Sequence, residues 1–193
     1  IVAENGGAVL FYVEDSDSIT ADRLAAWLMA QSWCGPVLAS KAVGPIPGTL
    51  PLAIAGADGD RAPDLAMSFS WNSEMSSNGI SGLARSTGAL PGQGMHGSMS
   101  RQEMHNVLLA RGPSFRRGAV LTTPSGNVDL APTVLAVLGL PDAETMDGRP
   151  PLEALKSGPG ADAADWTTEQ HEAERDVDTG TYRQQIKVAR VGY

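Results

Sequence analysis

From Ala8 to Leu138, short apolar runs bounded by glycine and proline turns alternate with amphipathic stretches. That alternation restricts the chain to an α/β arrangement, a central mixed sheet flanked by helices. Ala8-Val9-Leu10-Phe11-Tyr12-Val13 follows Asn5-Gly6-Gly7 and reads as a buried strand after a turn. Thr20 to Trp33 reads as a helix, with Thr20 as its N-cap, Leu24, Trp27 and Leu28 on its apolar face, and Cys34-Gly35-Pro36 as its end. Val37-Leu38-Ala39, Asp64 to Trp71 and Gly118 to Leu121 are further strand candidates. The sharpest helix signal lies after Asp129, its expected N-cap. Leu130, Val134, Val137 and Leu138 form the apolar face, Gly139 is the stop, and Pro141 lies beyond.

Between these elements, residues 44 to 63 read as a glycine- and proline-rich connection, and Asn72 to Gly92 as a long polar loop. Together they form a loop-rich insert at about 44–92. Loops of such length in a compact domain are usually functional or mobile. Val107-Leu108-Leu109-Ala110 is too short for periodicity to assign. Residues 157 to 165 read as a surface loop, and the acidic run from Asp165 to Asp178 as a solvated helix or loop. The chain opens on Ile1-Val2, already strand-like and without Met. It closes on the partly alternating stretch Gln185 to Tyr193. Both ends suggest a piece of a longer protein.

Composition narrows the function. A formal charge of −8 argues against nucleic acid as a partner, because binders of nucleic acid carry basic patches. No apolar run is long enough to span a bilayer, and none reads as a signal peptide. The single cysteine, Cys34, excludes an internal disulfide and reads as a small buried hydrophobe, which leaves the compartment undecided.

The chemistry-bearing candidate is His96. Gly92, Gly94 and Gly97 frame it, with Gln93 and Met95 between them. Such a frame lets the backbone bend and presents the imidazole as a metal ligand must be presented. His105 either lines the same site or is a hydrogen-bonded structural residue. His171, among Glu169, Glu172 and Glu174, reads as a surface residue. Asp58-Gly59-Asp60 lacks the spaced carboxylates of a calcium loop. Gly112-Pro113-Ser114-Phe115 reads most simply as a turn that packs Phe115. Asn127 to Thr133 reads as a turn and helix start, and Asp147-Gly148-Arg149 as a turn with a local ion pair. Arg116-Arg117 could meet a phosphate but reads as solvated.

The series Gly94-Met95-His96-Gly97-Ser98, Asn106, Gly112-Pro113-Ser114-Phe115, Asn127-Val128-Asp129-Leu130-Ala131-Pro132-Thr133 and Asp147-Gly148-Arg149 resembles the C-terminal part of the alkaline phosphatase superfamily. It is most similar to the type I phosphodiesterase and nucleotide pyrophosphatase branch. The resemblance runs from about Gly92 to Leu155, and more weakly takes in Glu4-Asn5-Gly6-Gly7 and the closing strand. It implies that residues 1–193 are the C-terminal part of a single alkaline-phosphatase-like catalytic domain, an α/β sandwich. In that family a zinc pair lies above the carboxyl ends of the sheet, and a threonine or serine nucleophile attacks phosphorus. His96 matches the late histidine that ligates zinc. The family's nucleophile and remaining aspartate and histidine ligands lie upstream of the resembling part, and this chain has no Asp-His pair.

The resemblance therefore implies a phosphate-ester small molecule as substrate, zinc as cofactor, and an upstream part of the same protein as partner. The chain alone would not be competent. Two alternatives stay open. One is a non-catalytic binding or assembly module on the same scaffold. The other is a sulfatase or phosphomutase type, whose distinguishing residues also lie upstream. The family's frequent export points to the periplasm or the exterior.

Overall fold

The computed structural model describes residues 1–88, 90, 93–141, 146–160 and 164–192. Gly92 and parts of the stretches read as loops at 72–92 and 157–165 lie outside the described residues. The chain divides into two compact units, residues 1–106 with 170–186, and residues 107–169 with 187–193.

The first unit is built on a five-stranded sheet of β1 (Val2–Asn5), β2 (Ala8–Phe11), β3 (Cys34–Ala39), β4 (Leu50–Pro51) and β5 (Leu65–Phe69), in the order β1-β2-β5-β3-β4. Neighbours run antiparallel except β3 and β4, which pair in parallel at Leu38–Leu50 and Ala39–Pro51. The result is a mixed α/β fold with a central sheet flanked by helices, as the alternation of elements predicts. Val9, Phe11, Val37, Leu65 and Met67 are buried on the face that meets α1 (Ser18–Met29).

That helix begins earlier than the sequence suggests. Asp17, not Thr20, is the N-cap, accepting a hydrogen bond from the Thr20 amide at 2.9 Å. Bonds from Thr20 hold the Asp17 carboxyl below the usual aspartate range. The buried face is Ala21, Ala25, Leu28 and Met29, while Trp27 is 56% exposed. Leu24 also packs against this core, so of the residues expected on the apolar face only Trp27 turns away from it. The helix stops at Met29, short of the expected Trp33, and Cys34 does not end it. Cys34 opens β3, which includes the predicted Val37–Ala39 strand.

The polar stretch after Trp71 is not one long loop. It forms a hairpin of β6 (Trp71–Met75) and β7 (Ser81–Ala84). Ser76 and Ile80 close the turn, Ser76 N donating to Ile80 O at 2.7 Å, and Gly79 takes a φ of 75°. The acidic run is likewise a strand. β8 (Asp165–Val177) and β9 (Gly180–Gly192) form a two-stranded sheet, which contains the expected closing strand. His171, Ala173, Arg175 and Val177 form its half-buried side, and Glu172, Glu174 and Asp176 its exposed side. Ala173 and Ile186 pack against the buried Leu38, Leu50 and Leu52, and Val177 and Tyr182 against the α1 side of the core.

β9 contributes more than packing. Gln184 is buried and its amide acts as a substitute strand for β3, donating to Val37 O at 2.9 Å and accepting from Val37 N at 3.1 Å. The same amide nitrogen donates to Gly48 O. Beside it, Tyr182 donates to Gly35 O at 2.8 Å. Cys34 is largely sequestered, and burial pushes its thiol up to about 12, so it stays protonated and unreactive near neutral pH.

In the second unit, a short 3-10 turn (Asn127–Asp129) leads into α3 (Leu130–Leu138), which Gly139 ends in the left-handed conformation at φ 67°. These bounds match the sequence reading. The apolar face does not find cover: Leu130, Val134, Val137 and Leu138 are 47, 56, 37 and 64% exposed, and Pro132 is the buried residue of the helix. Residues 107–110 and 118–121 form neither helix nor strand, so the expected strand at Gly118–Leu121 is absent, and Val107, Leu109 and Val120 are more than four-fifths exposed.

Replacing Gln184 with leucine would leave the Val37 amide and carbonyl and the Gly48 carbonyl buried without partners. Each such loss costs roughly 1–3 kcal/mol. Chemical denaturation of Gln184→Leu is expected to show a stability loss on the order of 3 kcal/mol. A change within experimental error would remove Gln184 from the sheet's support.

Candidate functional site

His96 lies where the turn between β1 and β2 meets the C-terminal end of β5, and three glycines make the junction possible. Gly7 donates its amide to His96 O at 2.7 Å and accepts at its carbonyl from Phe69 N at 3.0 Å and Ser68 Oγ at 3.3 Å. A Cβ on Gly7 would stand 2.5 Å from Ser98, and one on Gly6 would stand 2.7 Å from His96 O. Gly97 adopts φ 89°, and a Cβ there would stand 2.5 Å from Asn5 O and 2.9 Å from Asn5 Nδ2. The backbone on both sides of His96 is thus pressed directly onto the Asn5-Gly6-Gly7 turn, a contact that any larger residue would prevent.

Beyond His96 the chain is pinned by polar groups. Met99 N donates to Ser68 Oγ at 2.9 Å, Ser98 N to Glu103 Oε2 at 3.0 Å, and Ser100 N to Ser98 Oγ at 2.9 Å. Ser100 caps the short α2 (Arg101–Met104) by accepting from Glu103 N. Thr87 N donates to Gly6 O at 2.9 Å, tying down the approach from the other side. The His96 side chain itself is exposed. A fixed backbone carrying an accessible imidazole is the arrangement a ligand residue requires.

The other histidines do not join it in a cluster. His105 is exposed at the end of α2, where its amide donates to Arg101 O at 3.1 Å, and among the described residues no side-chain hydrogen bond holds its ring. His171 lies on the half-buried side of β8, not on the open surface. Among the described residues no group of three or more His, Cys, Asp or Glu is placed to hold a metal ion. A zinc site takes three or four protein ligands. The described residues therefore do not by themselves fit a zinc pair.

The motifs of the second unit converge on a structural cradle. Asp129 is buried and both of its carboxylate oxygens accept backbone amides, Gly126 N at 2.9 Å and Arg149 N at 2.9 Å. Gly148 lies so close to Val128 O that there is no room for a Cβ. Arg149 of the Asp147-Gly148-Arg149 turn forms an ion pair with Glu153, beyond that turn, in two bonds of 2.7 and 3.0 Å. Glu153 is fully buried, and the Arg149 guanidinium holds its carboxyl below the usual glutamate range. Arg116 is not solvated. It donates to the carbonyls of Glu153, Gly158 and Pro159, whereas Arg117 is exposed. Phe115 bridges to the buried Leu155.

Sequence reasoning weighted His96 and its glycines but not Ser68, whose hydroxyl joins Gly7 to Met99. Its one signal was a polar residue inside an otherwise apolar strand. Comparison with family models, with curated proteins and with solved structures returns no match.

Gly97→Ala is expected to lose about 2 kcal/mol, from the left-handed backbone and the clash with Asn5. The specific readout is hydrogen exchange at the Gly7 amide, whose partner is His96 O. Exchange should accelerate as that bond loosens, and unchanged protection would show that the junction does not hold the histidine.

Proposed function

We propose that the chain is the C-terminal portion of a zinc-dependent phosphoesterase of the alkaline phosphatase superfamily, of the phosphodiesterase or nucleotide pyrophosphatase type. The observation that carries this reading is the contact of Asn5-Gly6-Gly7 with His96-Gly97-Ser98. Two segments of the motif series, far apart in sequence, meet and leave the histidine accessible. The order of the remaining motifs supports it. Zinc bound to such a protein would stabilise charge on the oxygens of a phosphate ester. His96 would supply one imidazole to it. The nucleophile and the other ligands would come from sequence preceding this chain, so the described residues alone define no reaction step. The exposed aliphatic face of α3 supports the same view, because a helix of this kind is normally covered. The substrate would be a small phosphate ester. The family's frequent export favours the periplasm or the exterior as its location. Among the described residues, no helix is long and apolar enough to cross a membrane.

A second reading is a binding or assembly module on the same scaffold. The lack of a metal-binding cluster among the described residues favours it. A sulfatase or phosphomutase is a variant of the first reading. Hydrolysis of bis(p-nitrophenyl) phosphate by the full gene product separates them. The phosphoesterase reading expects zinc-dependent turnover that falls by about a hundredfold or more in His96→Ala, the scale of losing one metal ligand or its support. Full turnover in the variant would sink the assignment of His96. Absence of turnover in the unaltered protein, with activity on a sulfate ester or on none, would favour one of the alternatives.

A further inference from the structure

The sequence holds two Asn-Gly pairs, Asn5-Gly6 and Asn78-Gly79. This dipeptide is chemically labile, because a glycine amide nitrogen can reach the preceding carboxamide with no Cβ in the way. The fold holds the two pairs very differently.

Asn5-Gly6 lies inside the junction with His96. Asn5 pairs with Ala8 at the end of β1, and Gly6 O accepts from Thr87 N at 2.9 Å and from Thr87 Oγ1 at 3.3 Å. A Cβ on Gly97 would stand 2.9 Å from Asn5 Nδ2 and 3.4 Å from Asn5 Cγ, so the carboxamide lies against that glycine. Turning it onto Gly6 N, as ring closure requires, disrupts several of these contacts together.

Asn78-Gly79 lies at the tip of the β6–β7 hairpin. The base of the hairpin is anchored, with Arg85 N donating to Ser70 O at 3.1 Å and Gly82 against the Gln102 side chain. The tip is open. Asn78 is exposed, no hydrogen bond holds its carboxamide among the described residues, and a Cβ on Gly79 would meet no atom within 4 Å. Gly79 N donates to Ser76 O at 3.0 Å, a bond between neighbours of the same turn. A two-stranded hairpin is marginally stable by itself, and its tip opens at low cost.

We propose that Asn78 is a deamidation site of the folded protein, and that the His96 junction keeps Asn5 intact. Gly79 N gives its proton to solvent base and attacks Asn78 Cγ. The new C–N bond closes a succinimide, the Cγ–Nδ2 bond breaks, and Nδ2 takes up a proton and leaves as ammonia. Water then adds to either ring carbonyl and opens the ring to aspartate or to isoaspartate. Solvent water is the only co-reactant. Each product adds a negative charge, and isoaspartate inserts a methylene into the backbone of the turn that Gly79 N and Ser76 O close.

The test is incubation of the 193-residue chain in mildly alkaline buffer, native and in guanidinium chloride, with both Asn-Gly peptides followed by mass spectrometry. Each native rate is taken relative to the rate of the same peptide in denaturant. Asn78 is expected to convert in the native chain, with isoaspartate among the products, and Asn5 to be slowed about tenfold or more beyond it, because more bonds must open together. The acidic species that forms on isoelectric focusing of the native chain should be lost in Asn78→Gln. Native protection of Asn78 equal to or greater than that of Asn5, or an acidic species that forms unchanged in Asn78→Gln, would overturn the proposal.

Discussion

The first unit depends on one close approach, that of the Gly7 backbone to two segments at once. Its amide holds His96, its carbonyl holds the end of β5, and its missing side chain makes room for Ser98. A β-turn between two antiparallel strands ordinarily faces solvent. Here it becomes the seat for residues 96–100, so the edge hairpin and the histidine segment fix each other. The sheet in turn fixes the hairpin, because Phe69 N and Ser68 Oγ both terminate on the Gly7 carbonyl. Rigidity at His96 is therefore inherited from the core through backbone groups, which leaves the imidazole itself uncommitted.

The second unit solves a different problem. Few of its described aliphatic residues are buried, and it organises its irregular backbone around two buried carboxylates instead. Asp129 gathers amides from Gly126 and Arg149, and Glu153 gathers the Arg149 guanidinium. Removing one member of such a set leaves a charge buried without compensation. The residues of the motif series thus divide by role. Those around Asp129, Gly148 and Arg149 shape the chain, while His96 presents its imidazole outward.

Much of this could be read from the residues. Gly139 bounded α3 because its left-handed stop is local, while Asp129 opens the helix without capping it, its carboxylate taking the amides of Gly126 and Arg149 instead; the run after Gly7 marked β2 because a buried strand needs little context. Other elements were hidden for physical reasons. The period of β8 is carried by charged residues, with Glu172, Glu174 and Asp176 facing out and Arg175 facing in, so hydrophobicity does not reveal the alternation. The β6–β7 hairpin had a local signal, Asn78-Gly79 between polar strands, that the search for apolar period passed over. The face of α1 was read correctly at Leu24 and Leu28 but not at Trp27, because the alanines Ala21 and Ala25 complete the packed face in its place. The candidate site was legible as a glycine-framed histidine. Its seat was not, since no local rule places Asn5-Gly6-Gly7 against residues some ninety positions later.

The central claim is that His96 is one donor of a metal site whose other ligands lie outside this chain. Zinc content after equilibrium dialysis tests it most directly, measured for the 193-residue chain, for the full gene product, and for each with His96→Ala. The account predicts that the chain retains no more zinc than its variant, and that the full product retains zinc that His96→Ala diminishes. Stoichiometric zinc held by the chain alone and lost in His96→Ala would contradict it, as would a full product that holds no zinc.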